Sequence, residues 1–184
     1  MPANSLIGAA CALALGLASM TVSADVIVGG SAMYAQKNIV ENAVNSKDHT
    51  TLVAAVKAAG LVDTLESKGP FTVFAPVNAA FAALPAGTVE TLLKPENKDA
   101  LTKVLTYHVV PGRYTTEDLD KLIAKGNGSA MLKTASGGTL SFQKNGAHNI
   151  TVADENGDVA DITIYDVMQS NGVIFSVDRV LMPR

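Results

Sequence analysis

From Ala130 onward the chain is a series of short apolar-rich runs separated by turn residues, and this pattern restricts the fold more than any other feature. The runs are Met131 to Thr134, Thr139 to Lys144, His148 to Ala153, Val159 to Tyr165 and Val173 to Val177. Between them stand Ser136-Gly137-Gly138, Asn145-Gly146 and Asn156-Gly157. Asn-Gly tolerates the positive φ angles of tight hairpin turns, so consecutive strands joined by hairpins are expected. In the last run Val173, Phe175 and Val177 fall on one strand face, and Ile174, Ser176 and Asp178 on the other.

Before Ala130 the period is helical. Ile39, Val40, Ala43 and Val44 follow Asn38, a suitable N-cap. A second start at Asp48 to Thr51 leads into Leu52, Val53, Val56 and Ala59, closed by Gly60. Leu61, Val62 and Leu65 predict one more helical turn before Gly69-Pro70. Phe71 to Ala75 is a β-prone run stopped by Pro76, and Asn78 is placed to cap a short helix carrying Phe81 and Leu84. A further helix is expected from Pro95, with Leu101, Val104, Leu105 and His108 on one face. Val109 to Gly112 then forms an extended segment and a turn, and Thr115 or Thr116 caps a helix ending at Gly126. Helices first and hairpins last imply an α+β fold, an antiparallel sheet or sandwich covered by helices rather than alternating βαβ units.

Residues 1–24 differ in kind. Met1 to Ala24 contains no charged residue or histidine, and Leu6 to Met20 is apolar apart from Ser19. An apolar stretch followed by Val22-Ser23-Ala24 reads as a secretory signal cleaved before Asp25, although Met1 to Ser5 lacks the usual Lys or Arg. The rival reading is a retained anchor, which needs about 20 predominantly apolar residues. Cys11 is the sole cysteine and lies inside this run. Cleavage would leave a thiol-free protein held together by its core. The expected organisation is thus a signal at 1–24, an N-terminal arm at 25–37 and one domain at 38–184. A domain of about 150 residues buries roughly 70% of its unfolded surface, enough for a core of its own.

The chemistry-bearing motifs are sparse. There is no Gly-x-Ser-x-Gly elbow, His-Glu-x-x-His pair, Walker loop or cysteine nucleophile in the chain. His49, His108 and His148 are far apart and lack metal-ligand spacing. Asp154-Glu155-Asn156-Gly157-Asp158 has hard oxygen donors, but its glycine is fourth rather than sixth, and Tyr165 occupies the twelfth position. It is read as a solvated turn. No metal or cofactor is expected. A net charge of −3 without a basic block argues against nucleic acid or an anionic membrane surface as partner.

Three segments carry a family resemblance. Phe71 to Phe81, with Thr72, Phe74, Ala75, Pro76, Asn78 and Phe81, resembles the first signature of fasciclin (FAS1) domains. Tyr107-His108 resembles the family's tyrosine–histidine motif, and Asn171 to Pro183, with Gly172 and Asp178, resembles its second signature. The layout is similar to that of bacterial secreted single-domain fasciclin proteins. The resemblance implies a β-sandwich or wedge covered by several short helices, with the two signature strands adjacent in the core. It also implies a non-enzymatic adhesion role outside the cytoplasm. Val77 stands in place of the usual threonine, Ala79 of an acidic residue and Phe175 of a histidine, which weakens a polar ligand site on these strands.

By the same resemblance, binding is carried over to Tyr107, His108, Val109, Pro111, Gly112, Arg113 and Tyr114, with Asp178 as a candidate buried partner of the histidine. The leading expectation is a secreted or periplasmic module for a protein or glycan surface partner, its mature form not membrane-anchored. The alternatives are a structural envelope protein without a dedicated ligand, or a glycan or ester hydrolase with a dispersed site.

Overall fold

The computed structural model describes residues 25–147 and 149–184. The expected signal with Cys11, and His148, lie outside these residues.

Local sequence accounts for several helix ends. Helix α1 (Ile39–Ala43) opens with a capping box, in which Asn38 Oδ1 accepts the Glu41 N–H at 2.8 Å and Glu41 Oε2 accepts the Asn38 N–H at 2.7 Å. A short 3-10 turn, Lys47–His49, leads into α2 (Thr50–Ala59), which stops at Gly60 with φ 72°. Helices α3 (Val62–Glu66), α4 (Asn78–Ala82) and α5 (Thr88–Leu92) are single-turn pieces, and α5 has no counterpart in the sequence reading. The helix expected from Pro95 begins as a 3-10 turn, Pro95–Asn97, before α6 (Lys98–Tyr107). Helix α7 (Thr116–Lys125) is capped by Thr115, whose hydroxyl accepts the Asp118 N–H.

Asn78 departs from its expected role. It lies inside α4, whose N-cap is Val77, and its side chain serves another helix. Oδ1 accepts the Thr51 N–H at 3.0 Å, filling an orphan donor in the first turn of α2, while Nδ2 donates to the Lys47 carbonyl at 2.8 Å. The N-terminal arm is also more ordered than its lack of period suggested. Strands β1 (Val26–Val28) and β2 (Ser31–Met33) form a hairpin turning at Gly29-Gly30 and burying Val28 and Met33.

The remaining strands are β3 (Phe71–Pro76), β4 (Val109–Pro111), β5 (Ser129–Lys133), β6 (Thr139–Asn145), β7 (Asn149–Ala153), β8 (Val159–Gln169) and β9 (Gly172–Val177). They make one seven-stranded sheet in the order β4-β3-β9-β8-β7-β6-β5. The β5-to-β9 run is the expected antiparallel meander. One pairing corrects the all-antiparallel expectation: β3 and β9 run parallel, Phe71 opposite Gly172 and Pro76 opposite Val177. Their hydrogen-bonding edges are brought together by the whole intervening chain, which turn dipeptides do not report. The sheet curls until its ends meet, where the Ala135 N–H donates to the Val109 carbonyl at 2.7 Å.

Strand β9 is buried on both faces and divides the core. Val173, Phe175 and Val177 point into the curl with Phe74, Leu140, Phe142 and Val152, closed over by Leu119 and Ile123 of α7. Phe175 stacks on Phe74 at 5.5 Å between ring centroids, so the aromatic residue at this position packs where a histidine would need a polar partner. On the other face Ile174 joins Val73 and Ala75 beneath Ile39, Leu52, Val56 and Leu105.

Candidate functional site

Helix α6 delivers Tyr107-His108 to the junction of the two cores. Its face Leu101, Val104 and Leu105 is buried, and the helix ends with His108 as C-cap, after which β4 begins directly. Tyr107 is 0% and His108 2% exposed. The Tyr107 hydroxyl donates to the Thr139 carbonyl at 2.8 Å and accepts the Glu155 N–H at 3.0 Å. Burial raises its pKa.

His108 Nδ1 donates to the Val104 carbonyl at 2.8 Å, leaving Nε2 to accept the Leu181 N–H at 2.9 Å. That pattern requires a neutral ring protonated at Nδ1. Burial pushes its pKa down to about 4, against the opposing Val104 carbonyl and the negative Asp154. Asp178, the candidate buried partner, is elsewhere: its Oδ1 accepts the Asp161 N–H at 2.8 Å. The carboxylate that steadies this corner is Asp154. Oδ1 accepts the Asn156 and Asp158 N–H groups at 2.9 and 3.0 Å, and Oδ2 accepts the Met182 N–H at 3.0 Å. These bonds turn residues 154–158 and hold the C-terminal segment. Among the described residues no cluster of three His, Cys, Asp or Glu side chains is arranged to hold a metal ion.

Beyond this anchor the chain comes to the surface. Val109 and Val110 are buried, Pro111 and Arg113 exposed, and Gly112 and Tyr114 half-buried. The 111–114 loop is held from beneath by Thr72, a fully buried residue of β3. The Thr72 hydroxyl donates to the Gly112 carbonyl at 2.8 Å and accepts the Tyr114 N–H at 2.9 Å. Gly112, at φ 106°, also donates its N–H to the Pro70 carbonyl, and a Cβ there would meet Tyr114 Cε2 at 2.9 Å. Arg113 reaches across to β8, donating from Nη2 to the Gln169 carbonyl at 3.0 Å and to the Ser170 carbonyl at 3.3 Å. A short loop restrained at both ends and along its middle is a preorganised surface.

The other signature residues are internal. Phe74, Ala75, Pro76 and Phe81 are buried, and Asn78 caps α2 as described. Asn171 Oδ1 accepts the Ile39 N–H at 3.0 Å, and Nδ2 donates to the Leu65 and Ser67 carbonyls at 2.7 and 2.8 Å. It thereby joins α1, α3 and the approach to β9. A Cβ on Gly172 would collide with the Phe71 carbonyl oxygen, so the parallel strands close only around glycine. The sequence marks Thr72 only as a signature residue and Asp154 only as part of a turn. The bonds of Thr72 to Gly112 and Tyr114, and of Asp154 to Met182, join segments distant in the chain and show only in the fold.

The comparisons agree with this architecture. A family model for the fasciclin domain matches residues 47–183. Protein sll1483 of Synechocystis sp. is 45% identical over 164 residues, covering 89% of this chain and 83% of the relative. Immunogenic protein MPB70 of Mycobacterium bovis is 31% identical over 191 residues, covering 94% and 90%. The solved FAS1 domain pair from the insect cell adhesion molecule Fasciclin I superimposes with a TM-score of 0.68 at 20% identity, over 79% of this chain and 51% of that one, a likeness of fold. With the signature strands paired side by side, the tyrosine–histidine motif at their flank and the family model spanning nearly the whole described domain, the chain belongs to the fasciclin domain family.

Proposed function

We propose that this protein is an exported, non-catalytic binding module that makes adhesion-type contacts with a protein or glycan surface through residues 111–114. The observation that carries the reading is the Thr72 clamp: a buried hydroxyl spends both its donor and its acceptor on holding a surface loop in one shape. Pro111 and Arg113 are the exposed side chains of that loop, and Tyr114 offers part of its ring. Tyr107 and His108 act here as the buried footing of the loop rather than as contact residues, since their polar atoms are engaged internally. The uncharged apolar residues 1–24 support export. Among the described residues no helix is long and apolar enough to cross a membrane. The adhesion assignment of the insect protein of like fold supports the class of contact.

The test is retention of the protein on immobilised envelope and host-surface components, compared between wild type and the Arg113→Glu and Pro111→Ala variants. Both variants should keep the wild-type circular dichroism spectrum and lose retention at least severalfold. Undiminished binding by both folded variants would overturn the site.

A further inference from the structure

Between the helices and the convex face of the sheet lies an apolar cavity of about 100 Å³. Its walls include Ile39, Val56, Leu65, Phe71, Val73 and Ile174. Protein interiors hold few voids larger than a water molecule, and the cost of a cavity rises with its volume. This one is of the same order as an apolar cavity of ~150 Å³ that stays dry and takes up benzene or xenon.

The polar groups on the lining decide what it can hold. A buried water needs two to four polar partners. His108 uses both ring nitrogens on Val104 and Leu181. His49 Nδ1 pairs with Ser46 Oγ at 2.9 Å and Nε2 with Ser176 Oγ at 3.4 Å. Thr106 Oγ1 donates to the Thr102 carbonyl at 2.7 Å. Lys57 and Thr64 lie on the lining as exposed residues, at its rim. Among the described residues the one buried side-chain polar atom without a partner is Thr116 Oγ1, which is not on the lining. Neither water nor a polar ligand would find a hydrogen bond inside. The lining keeps partial exposure at Val40, Ala43, Val53, Leu61 and Val62, with exposed Lys57 and Thr64 beside them, so most of its accessible residues gather where α1, α2 and α3 meet. Phe71, Thr106 and Ala135 are the accessible ones elsewhere on the lining.

We propose that this cavity is a binding site for one compact neutral hydrocarbon group, a single aromatic ring or a short alkyl chain, entering between α1, α2 and α3. Its size excludes fused-ring or long-chain occupants, and its saturated polar groups disfavour hydroxylated ones.

The experiment titrates the isotopically labelled full chain with benzene and, separately, with phenol, following backbone amide shifts. Benzene should give saturable shifts confined to α1, α2, α3, β3 and β9, with phenol at least tenfold weaker. Ala43→Leu and Val62→Phe, which project bulk into the entrance, should each weaken benzene binding at least tenfold while preserving the fold. No saturable shift up to the solubility of benzene would overturn the site, as would phenol binding equal to benzene or wild-type affinity in both variants. Should either variant fail to fold, the other and the benzene–phenol comparison on the wild-type protein decide.

Discussion

The Nε2 atom of His108 accepts the Leu181 N–H at 2.9 Å, linking the end of α6 to the last segment of the chain across 73 positions. The bond exists only while the ring is neutral, since a doubly protonated imidazole has no acceptor. His108 therefore couples the closure of the fold to pH.

Its pKa in the fold is lowered to about 4 from an ordinary 6.5, so between these values the unfolded chain binds more protons than the folded one. Stability is then fully present above pH 6.5 and falls progressively as the pH drops towards 4, by roughly 3 kcal/mol for this one residue. Burial lowers the pKa of His49 as well, which adds in the same direction. Urea unfolding at pH 7.5, about 5.5 and about 4.5 measures the loss. His108→Phe should unfold at lower urea at neutral pH, because Leu181 loses its acceptor at a cost of about 1–3 kcal/mol, and should show a shallower decline on acidification. An equally steep decline in the variant would remove His108 as the source.

Asn171 makes three side-chain hydrogen bonds to backbone groups of α1, α3 and the segment after α3. Asn171→Ala leaves the Ile39 N–H and the Leu65 and Ser67 carbonyls without this partner, and a loss of about 2–4 kcal/mol is expected from unsatisfied buried groups. Asn171→Asp preserves the shape but turns a carboxylate towards two carbonyl oxygens. It should be at least as destabilising as alanine at pH 7. Thermal unfolding of the two variants checks the order; near-wild-type stability of the aspartate form would contradict the donor role.

Much of the architecture was legible because it is written locally. Asn38 and Gly60 bound helices by rules that act within a few residues, and the glycine turns after β5, β6 and β7 join strands adjacent in the sheet. The alternation in β9 separated its two faces correctly, Phe175 towards the curl and Ile174 towards the helices. What stayed hidden is non-local. The parallel β3–β9 pairing joins strands buried on both sides, whose runs carry no mark of direction. Strand β8 extends to Gln169 through bulges and an Asp166 at φ 50°, and a run reading ends at the first irregularity. The Asp178 assignment to His108 failed because Asp178 points to the Asp161 backbone. The neighbouring motif points to the loop as a candidate but not to its clamp: Thr72 is a signature residue by resemblance alone, and what its hydroxyl holds shows only once the sheet is formed.

Asn78 tests one of these non-local effects. An oxygen acceptor at its position stabilises the first turn of α2, and capping side chains contribute typically about 1 kcal/mol. Asn78→Ala should cost about that amount. Asn78→Asp keeps the acceptor for Thr51 and loses the donations to the Lys47 carbonyl and to Thr50 Oγ1. At this half-exposed position water screens the carboxylate, so the variant should fall between alanine and wild type. Chemical denaturation of the three proteins gives the order, and equal loss in both variants would shift the weight to the amide's donations to Lys47 and Thr50.

Thr72→Val is the sharpest separation of scaffold from surface. Valine matches threonine in shape and leaves the exposed loop side chains untouched, but it strips the Gly112 carbonyl and the Tyr114 N–H of their shared partner. Stability should fall by about 1–3 kcal/mol, with the fold retained. Amide hydrogen exchange at Tyr114 should quicken markedly, while that of the β6–β7 hairpin stays close to wild type. If the preorganised loop is the contact surface, retention on surface components falls alongside the exchange protection, although no contact residue has changed. Faster exchange with full retention would mean that the loop's shape is not what the partner reads, and the binding proposal would then rest on Pro111 and Arg113 as side chains alone.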